Sequence, residues 1–129
     1  MKVLYINAMG PTEKTPFGGI FVSHRISALK KLGVDVVPIS IGIRFSPITR
    51  AILRIKNIKD NGKLIDTQLD VRYKTLDVKM NLFDTFKTRT DNYSYKKVLE
   101  RDLYDELNQY CDVDLIHLHW CWPVGYSFL

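Results

Sequence analysis

Two adjacent glycines, Gly18 and Gly19, stand directly before a stretch with helical periodicity. Glycine costs roughly 0.5–1 kcal/mol relative to alanine inside regular structure, so a pair at this place indicates a local requirement. The first turn of a helix has unpaired backbone N–H groups and the positive end of the helix dipole, which a phosphate can approach where Cβ is missing. The pair is therefore a candidate diphosphate site, and a tight turn is the alternative explanation.

The residues around the glycine pair exclude two common nucleotide-binding motifs. Residues 18–25 read GGIFVSHR. This is neither the G-x-G-x-x-G of dinucleotide-binding folds nor the G-x-x-x-x-G-K-[ST] of a P-loop. His24 in this stretch is a further candidate for a phosphate contact, and a solvated helix face is its alternative.

Near the other end of the chain, His117, His119 and Cys121 alternate along a predicted strand. Three such ligands on one face could hold zinc, but the strand offers no fourth ligand, so we expect no metal. We expect His117 in the core and His119, nearer the carboxyl end of the strand, as a candidate for substrate contact. The side chains of Trp120 and Trp122 could stack on a sugar ring or pack in the core.

One segment carries the basic character of the protein. Six basic residues and one acid lie between Arg44 and Lys63, which accounts for the whole net charge of +5. The segment is either a solvated loop or a basic amphipathic helix with its apolar stripe in lipid and its cations toward anionic headgroups. No nucleic-acid recognition motif accompanies it, so we do not expect nucleic acid as a partner.

Length and composition fit one globular domain. The chain has 129 residues and 46% apolar content, and it opens with no charged leader followed by a cleavage site. No apolar run approaches the roughly 20 residues of a membrane span, so we expect a cytoplasmic protein. Cys111 and Cys121 flank a predicted strand of about five residues that separates its ends by roughly 16 Å, too far for a disulfide, so we expect free thiols.

The first forty residues predict a βαβ unit. Lys2–Asn7 is a short apolar run typical of a strand buried on both faces. Ile20–Leu32 has helical periodicity, and Gly33 supplies its end. Val34–Ile41 predicts a second strand, in which Pro38 indicates a sheet edge or the end of the strand.

The rest of the chain continues the alternation of helices and strands. It predicts a basic amphipathic helix in residues 46–59, a strand over Asp70–Val78, a helix from Tyr95 to Tyr110 capped by Asn92 or Ser94, and a buried strand over Asp114–His119. The fold class is α/β, with a Rossmann-like parallel sheet flanked by helices and ligand loops at the carboxyl ends of the strands. Pro123 favours a new helix, and the chain stops about one turn later, so we expect the domain to continue.

Two stretches together resemble a known family. KVLYINAMGPTEKTPFGGIFVSHRISALKKLGVDVVPIS and, about seventy residues later, DVDLIHLHWCWPVGYSFL look like parts of the N-terminal domain of retaining GT-B glycosyltransferases of family 4. That family opens with a strand, a Gly-Gly or Ser-Gly loop and a helix of this type, followed later by Asp-hydrophobic-Ile-His-x-His with a trailing Pro and Gly. The resemblance covers roughly 60 residues at the two ends of the chain.

The resemblance implies a function and a set of site residues. It places Gly18 and Gly19 against the diphosphate of a nucleotide-sugar donor, and His119 and Trp120 at the mouth of the acceptor side of the cleft. It implies transfer of a hexosyl group to a saccharide or lipid-linked acceptor, with retention and without a metal or cofactor, in surface polysaccharide synthesis. It also implies peripheral association with the inner face of an anionic membrane through the segment from Arg44 to Lys63.

The family features that are missing limit this interpretation. The donor-binding C-terminal domain, the E-x7-E carboxylates and a later histidine of the family would all follow residue 129, so we expect residues 1–129 to be a partial N-terminal domain that is inactive alone, with unassigned catalytic residues. One alternative is a non-catalytic flavodoxin-like module that binds a small phosphorylated ligand. Another is a truncated product that self-associates through an exposed sheet face.

Overall fold

A computed structural model describes residues 1–8, 10–56 and 62–119 of the chain. The elements in chain order are β1 (Lys2–Asn7), α1 (Ile20–Lys31), β2 (Asp35–Phe45), α2 (Pro47–Ile55), β3 (Thr67–Gln68), β4 (Val71–Arg72), β5 (Lys74–Met80), α3 (Leu82–Thr90), α4 (Asn92–Asn108) and β6 (Leu115–His119). None of the helices in these ranges combines the length and the apolar character that crossing a bilayer requires.

Within the described residues, four parallel strands form the central sheet in the order β5-β2-β1-β6. This confirms the predicted α/β class with a Rossmann-like parallel sheet. Numbered along the chain, the strands of the sheet stand third, second, first and fourth. This is the Rossmann order, whereas in the flavodoxin order the third strand lies beside the first. The short strands β3 and β4 form a separate antiparallel hairpin.

Apolar side chains cover both faces of the sheet. On one face, Tyr5 and Val36 pack with Val22 and Ile26 of α1, and with Val71 of the hairpin. On the other face, a larger cluster joins the sheet to α4; it contains Leu4, Ile6, Ile39, Ile41, Leu76, Val78, Met80, Val98, Leu99 and Leu103. Because β1 and β2 are covered on both faces, they read as nearly continuous apolar runs in the sequence.

The predicted βαβ unit is confirmed, with one error. β1 has the expected bounds, α1 ends one residue earlier than expected, and Gly33 follows it with a φ of 80°. Pro38, however, lies inside β2, which runs on to Phe45 as a central strand. It is tolerated because β5 first pairs with β2 at Ile39, so only one side of β2 is paired at Pro38 among the described strands.

The later predictions are confirmed in outline and wrong in detail. The expected strand over Asp70–Val78 is divided between β4 and β5, and α3 was not expected. The helix expected from Tyr95 begins earlier, and its cap is Asp91, which accepts hydrogen bonds from two backbone amides. β6 is an outer strand of the described sheet, and Leu115 and Ile116 are 50% and 46% exposed, so the expectation of a buried strand is wrong.

Arg101 on α4 ties together the ends of β5 and α3. Its guanidinium donates to the Lys79 carbonyl at 2.6 Å, to Asp84 at 3.2 Å and to Asp102 at 2.7 Å. Asp102 also accepts from the Lys79 amide at 2.6 Å. Burial alone would raise the pKa of Asp102, but the hydrogen bonds from Arg101 and the Lys79 amide outweigh it and hold the pKa below its ordinary value.

The Asp102 carboxylate should stabilise the fold in a pH-dependent way. Because its folded pKa is lowered, its contribution is present above the unfolded pKa near 4 and is lost as the pH falls through the folded pKa. We expect Asp102→Asn to reduce the free energy of unfolding at pH 7 by about 1–2 kcal/mol, and the difference from wild type to shrink below about pH 4. Urea unfolding at stepped pH measures this, with Asp105→Asn, exposed on the same helix, as the control. A difference that does not change with pH would contradict this role of Asp102.

Candidate functional site

The candidate site lies where the strand order reverses, at the carboxyl ends of β1 and β6. Asn7 of β1 is in register with His119 of β6 on one side and with Ser40 of β2 on the other. Helix α1 follows β1 after a loop, so its first turn stands over the same edge of the sheet. In open α/β sheets, ligands bind in the crevice at this switch point.

Gly19 is the N-cap residue of α1 and has a left-handed backbone, with φ 65° and ψ 20°. Side chains with Cβ rarely adopt this conformation, so glycine is required here by the backbone. Gly18 is favoured for another reason, because a Cβ atom there would lie 3.0 Å from the Thr15 carbonyl oxygen and 3.2 Å from that of Gly10, closer than most Cβ contacts. Backbone geometry thus favours glycine at both positions of this corner, which comprises Gly18 to Phe21.

Part of the hydrogen-bonding capacity of this corner is already used. The Gly18 amide donates to the Thr15 carbonyl at 2.8 Å, and the Ile20 amide donates to the Phe17 carbonyl at 3.2 Å. The amides of Gly19 and Phe21 have no acceptor within the described part of the chain. Among the described residues, these are the two backbone donors of the corner for which a ligand would supply the acceptor.

Helix α1 begins differently from the other helices that the structure describes. Ser46 caps α2, Asn81 and Asp84 form a capping box on α3, and Asp91 caps α4. Gly19 offers no side chain for this purpose, and the first turn of α1 contains no acid. In the described part of the chain, no side-chain cap and no acid of the first turn meets the positive end of α1, which suits this end to an anion from a ligand.

A buried polar network fixes the glycine loop to the body of the protein. Gln68 of the hairpin donates from Nε2 to the carbonyls of Pro16 at 2.8 Å and Gly18 at 3.1 Å. Its Oε1 accepts from the hydroxyl of Ser23 on α1, which also bonds the Tyr73 hydroxyl at 2.7 Å. Burial raises the pKa of Tyr73. Sequence reasoning missed this network, because no local pattern relates Gln68 to a loop fifty residues earlier.

His119 lies beside the first turn of α1. Its ring meets the Phe21 ring edge-on at a centroid distance of 5.1 Å and stacks on Tyr5 at 6.5 Å. Burial, with nearby Arg25 and His117, holds the pKa of His119 below its ordinary value, so the imidazole is neutral at neutral pH. The structure therefore places the predicted residue His119 against Phe21, two residues after the predicted residue Gly19.

The remaining predicted residues are divided between three outcomes. His117 stacks on the Tyr5 ring at 4.3 Å but is exposed, so its expected core position is wrong; the described chain covers only one edge of β6. His24 lies on an exposed face of α1, as its alternative explanation predicted. Trp120, Cys121 and Trp122 lie outside the described residues.

The expectations of free thiols and of no metal site can be compared with the structure only for the described residues. Cys111 is free and exposed. No group of three His, Cys, Asp or Glu side chains within residues 1–8, 10–56 and 62–119 is arranged to hold a metal ion.

The basic segment folds in part as the predicted amphipathic helix. Residues 57–61 lie outside the described residues, and α2 covers Pro47–Ile55. Its buried residues are Thr49 and Leu53, whereas Ile48 and Ile55 of the predicted apolar stripe are 70% and 83% exposed. The stripe therefore points away from the core of the protein.

No protein-family model, curated protein or solved structure matches the chain.

Replacement of Gly18 and replacement of Gly19 should lower the free energy of unfolding for different reasons. We expect Gly19→Val to lower the free energy of unfolding by about 1–2 kcal/mol and Gly19→Asn by less, because asparagine tolerates a positive φ. Gly18→Ala should also destabilise, because its Cβ would press on two backbone oxygens. Chemical unfolding of the three variants measures this. Equal losses for Gly19→Val and Gly19→Asn would contradict a backbone origin of the requirement at Gly19.

Proposed function

We propose that this protein is part of a retaining GT-B glycosyltransferase that moves a hexosyl group from a nucleotide sugar to a saccharide or lipid-linked acceptor. The crevice at the carboxyl ends of β1 and β6 is its donor and acceptor region. The proposal combines the resemblance of the two sequence stretches to family 4 with one structural observation. That observation is an uncapped helix N-terminus at the switch point of the sheet, beside a neutral histidine.

The corner supports the donor half of this proposal. The amides of Gly19 and Phe21, which have no acceptor among the described residues, and the positive end of α1 would meet a diphosphate, whose negative charge grows as the glycosidic bond to the sugar breaks. Backbone donors held by the Gln68 network need little reorganisation when that charge develops, which is the condition for effective electrostatic stabilisation.

The side chains beside the corner support the sugar-binding half. Phe17 and Phe21 are exposed next to the glycines, and aromatic faces pack well against the C–H groups of a sugar ring. A neutral His119 can exchange hydrogen bonds with sugar hydroxyls without adding a charge to the crevice. The proposed roles are therefore diphosphate binding for Gly19 and substrate contact for His119.

The strand order bears on the alternative interpretation, a non-catalytic flavodoxin-like module. A non-catalytic module that binds a small phosphorylated ligand could use the same corner, but its sheet would follow the Rossmann and not the flavodoxin order. The transferase proposal is favoured because family 4 enzymes are built on Rossmann-like domains.

Titration with a nucleoside diphosphate tests the proposed donor site. We expect the diphosphate to shift the backbone amide resonances of Gly19 and Phe21 in the 129-residue chain. Gly19→Asn should weaken this binding about tenfold, because it places a side chain where the anion would lie while keeping the backbone conformation.

The matched control is Gly33→Asn at the opposite end of α1. Gly33 also has a positive φ of 80°, and a Cβ there would meet no described atom within 4 Å. The control should bind like wild type. Identical affinities of the two variants, or no shift at Gly19 and Phe21, would remove the proposed diphosphate role.

A second proposal concerns the membrane. The exposed stripe of α2 is accompanied by exposed cations, among them Arg44, Arg54 and Lys56, so the helix could lie on an anionic bilayer with its isoleucines in the interface. Such a contact would bring a lipid-linked acceptor to the carboxyl edge of the sheet, because α2 follows the carboxyl end of β2.

Co-sedimentation with vesicles tests the membrane proposal. We expect the chain to bind vesicles of phosphatidylcholine with phosphatidylglycerol more strongly than vesicles of phosphatidylcholine alone. Ile55→Ser should weaken binding several-fold, because the burial of one large apolar side chain in the interface is lost. Leu32→Ser is the matched control, since Leu32 is 80% exposed on a different helix end. Equal effects of the two substitutions would argue against a contact through α2.

A further inference from the structure

The two flanks of α1 face different parts of the protein. On one flank, the Ser23 hydroxyl donates a hydrogen bond to Gln68. One turn later on the same flank, the Ser27 hydroxyl donates to Asp70 at 2.7 Å. The hairpin of β3 and β4 therefore covers this flank and leaves the opposite one to face β6.

The flank toward β6 carries Phe21 and Arg25. They lie four residues apart, so they share a face of the helix, with Arg25 about 6 Å further along its axis. The Phe21 ring meets the His119 ring of β6 at a centroid distance of 5.1 Å, which places this flank beside the strand. Phe21 is 46% exposed and Arg25 is exposed as well, so solvent reaches this flank.

β6 presents alternate side chains to the same side of the sheet as α1. His117 is in register with Tyr5 of β1, which packs against α1, and the two rings stack at a centroid distance of 4.3 Å. His119 points to the same side, because side chains alternate along a strand, and His117 is exposed. A groove therefore lies between this flank of α1 and β6. We call it the β6 groove, and it is formed by Phe21, Arg25, His117 and His119.

The β6 groove is basic. Within residues 1–8, 10–56 and 62–119, Arg25 forms no ion pair with a carboxylate. The acids that precede β6 are held elsewhere, because Asp112 accepts from the Lys2 ammonium and Asp114 accepts from the Lys2 backbone amide. Burial is the main cause that lowers the pKa of His119, and the charge of Arg25 is the next, so the guanidinium lies near this imidazole. The groove thus brings a guanidinium and two imidazoles together, and none of its four residues is an acid.

We propose that the β6 groove binds the acceptor and that this acceptor is a saccharide carrying an oxyanion, either a phosphate or a carboxylate. The inference rests on the transferase function proposed above, and it adds the chemical class of the acceptor. The Arg25 guanidinium presents paired N–H donors that match the oxygens of either group. The His117 imidazole adds a further hydrogen-bond donor, and the Phe21 ring offers an apolar face to the sugar.

The position of Arg25 suits an acceptor bound beside the donor. The amides of Gly19 and Phe21, at the start of α1, belong to the proposed donor site, and Arg25 lies one turn further along the helix than Phe21. His119 contacts Phe21 and lies near Arg25, so it adjoins both sites. An oxyanion at Arg25 would also compensate a cation that has no carboxylate partner among the described residues, which favours an acidic acceptor over a neutral one.

The groove variant is Arg25→Gln, and the matched control is Lys31→Gln. Both side chains are exposed, and both substitutions remove one positive charge from the surface of the same helix. Circular dichroism and the thermal midpoint establish that the two variants are folded. The side-chain resonances of Arg25 and His117 follow ligand binding in the 129-residue chain.

Glucose 6-phosphate, glucuronate and glucose are titrated in separate arms at constant pH and ionic strength. We expect an anionic sugar to shift the side-chain resonances of Arg25 and His117 and glucose to leave them unchanged. Binding should be about tenfold weaker in Arg25→Gln, because a charge-assisted pair of hydrogen bonds is lost, and unchanged in Lys31→Gln. The phosphate arm and the carboxylate arm identify the source of the oxyanion.

Each outcome decides the proposal. When Arg25→Gln alone weakens binding, shifts with glucose 6-phosphate support a phosphorylated acceptor, shifts with glucuronate support a uronic acid, and shifts with both support either group. The absence of shifts with both anionic sugars, an equal shift with glucose, or equal affinities of the two variants would overturn it. The donor site is measured separately, with a nucleoside diphosphate at the Gly19 and Phe21 amides, so a failure of the donor proposal is distinguished from a failure at the β6 groove.

Discussion

Pairing of β1 on both edges is the constraint from which the site follows. β1 pairs with β2 on one side and with β6 on the other. β5, which lies between β2 and β6 in the chain, pairs with the outer edge of β2. The connections on the two sides of β1 therefore depart in opposite directions, which opens a crevice at its carboxyl end. Asn7, His119 and the first turn of α1 all meet there because they follow or pair with this one strand.

The glycine loop depends on a second constraint, the burial of polar groups. Gln68, Ser23 and Tyr73 are buried, and each would be costly to leave without hydrogen bonds. They form hydrogen bonds with one another and with the loop carbonyls of Pro16 and Gly18. These hydrogen bonds offset the cost of burying the polar groups and also hold the corner in one conformation. A corner held by these hydrogen bonds, with two amides that have no acceptor among the described residues, is a suitable site for an anion, since little ordering is needed on binding.

The sequence predicted what depends on local pattern and missed what depends on distant partners. β1, α1 and the end at Gly33 follow from apolar periodicity and a glycine stop, and all three are confirmed. The prediction of a sheet edge or strand end at Pro38 was wrong, because a proline is tolerated here only owing to the position at which β5 begins to pair with β2. That position is known only from the register of the sheet. Gln68 could not be assigned, because its contacts are made by a two-stranded hairpin with no pattern of its own. His119 was identified by its place near the end of a strand, whereas its neutral state depends on its burial and on the nearby Arg25 and His117.

The proposed role of the corner makes the position of a bound diphosphate the decisive observation. A crystal structure of the chain with a nucleoside diphosphate would show it directly. The account predicts phosphate oxygens within about 3 Å of the Gly19 and Phe21 amide nitrogens, with the nucleoside or sugar side toward His119. A diphosphate bound elsewhere, with those two amides bonded to the protein itself, would contradict it.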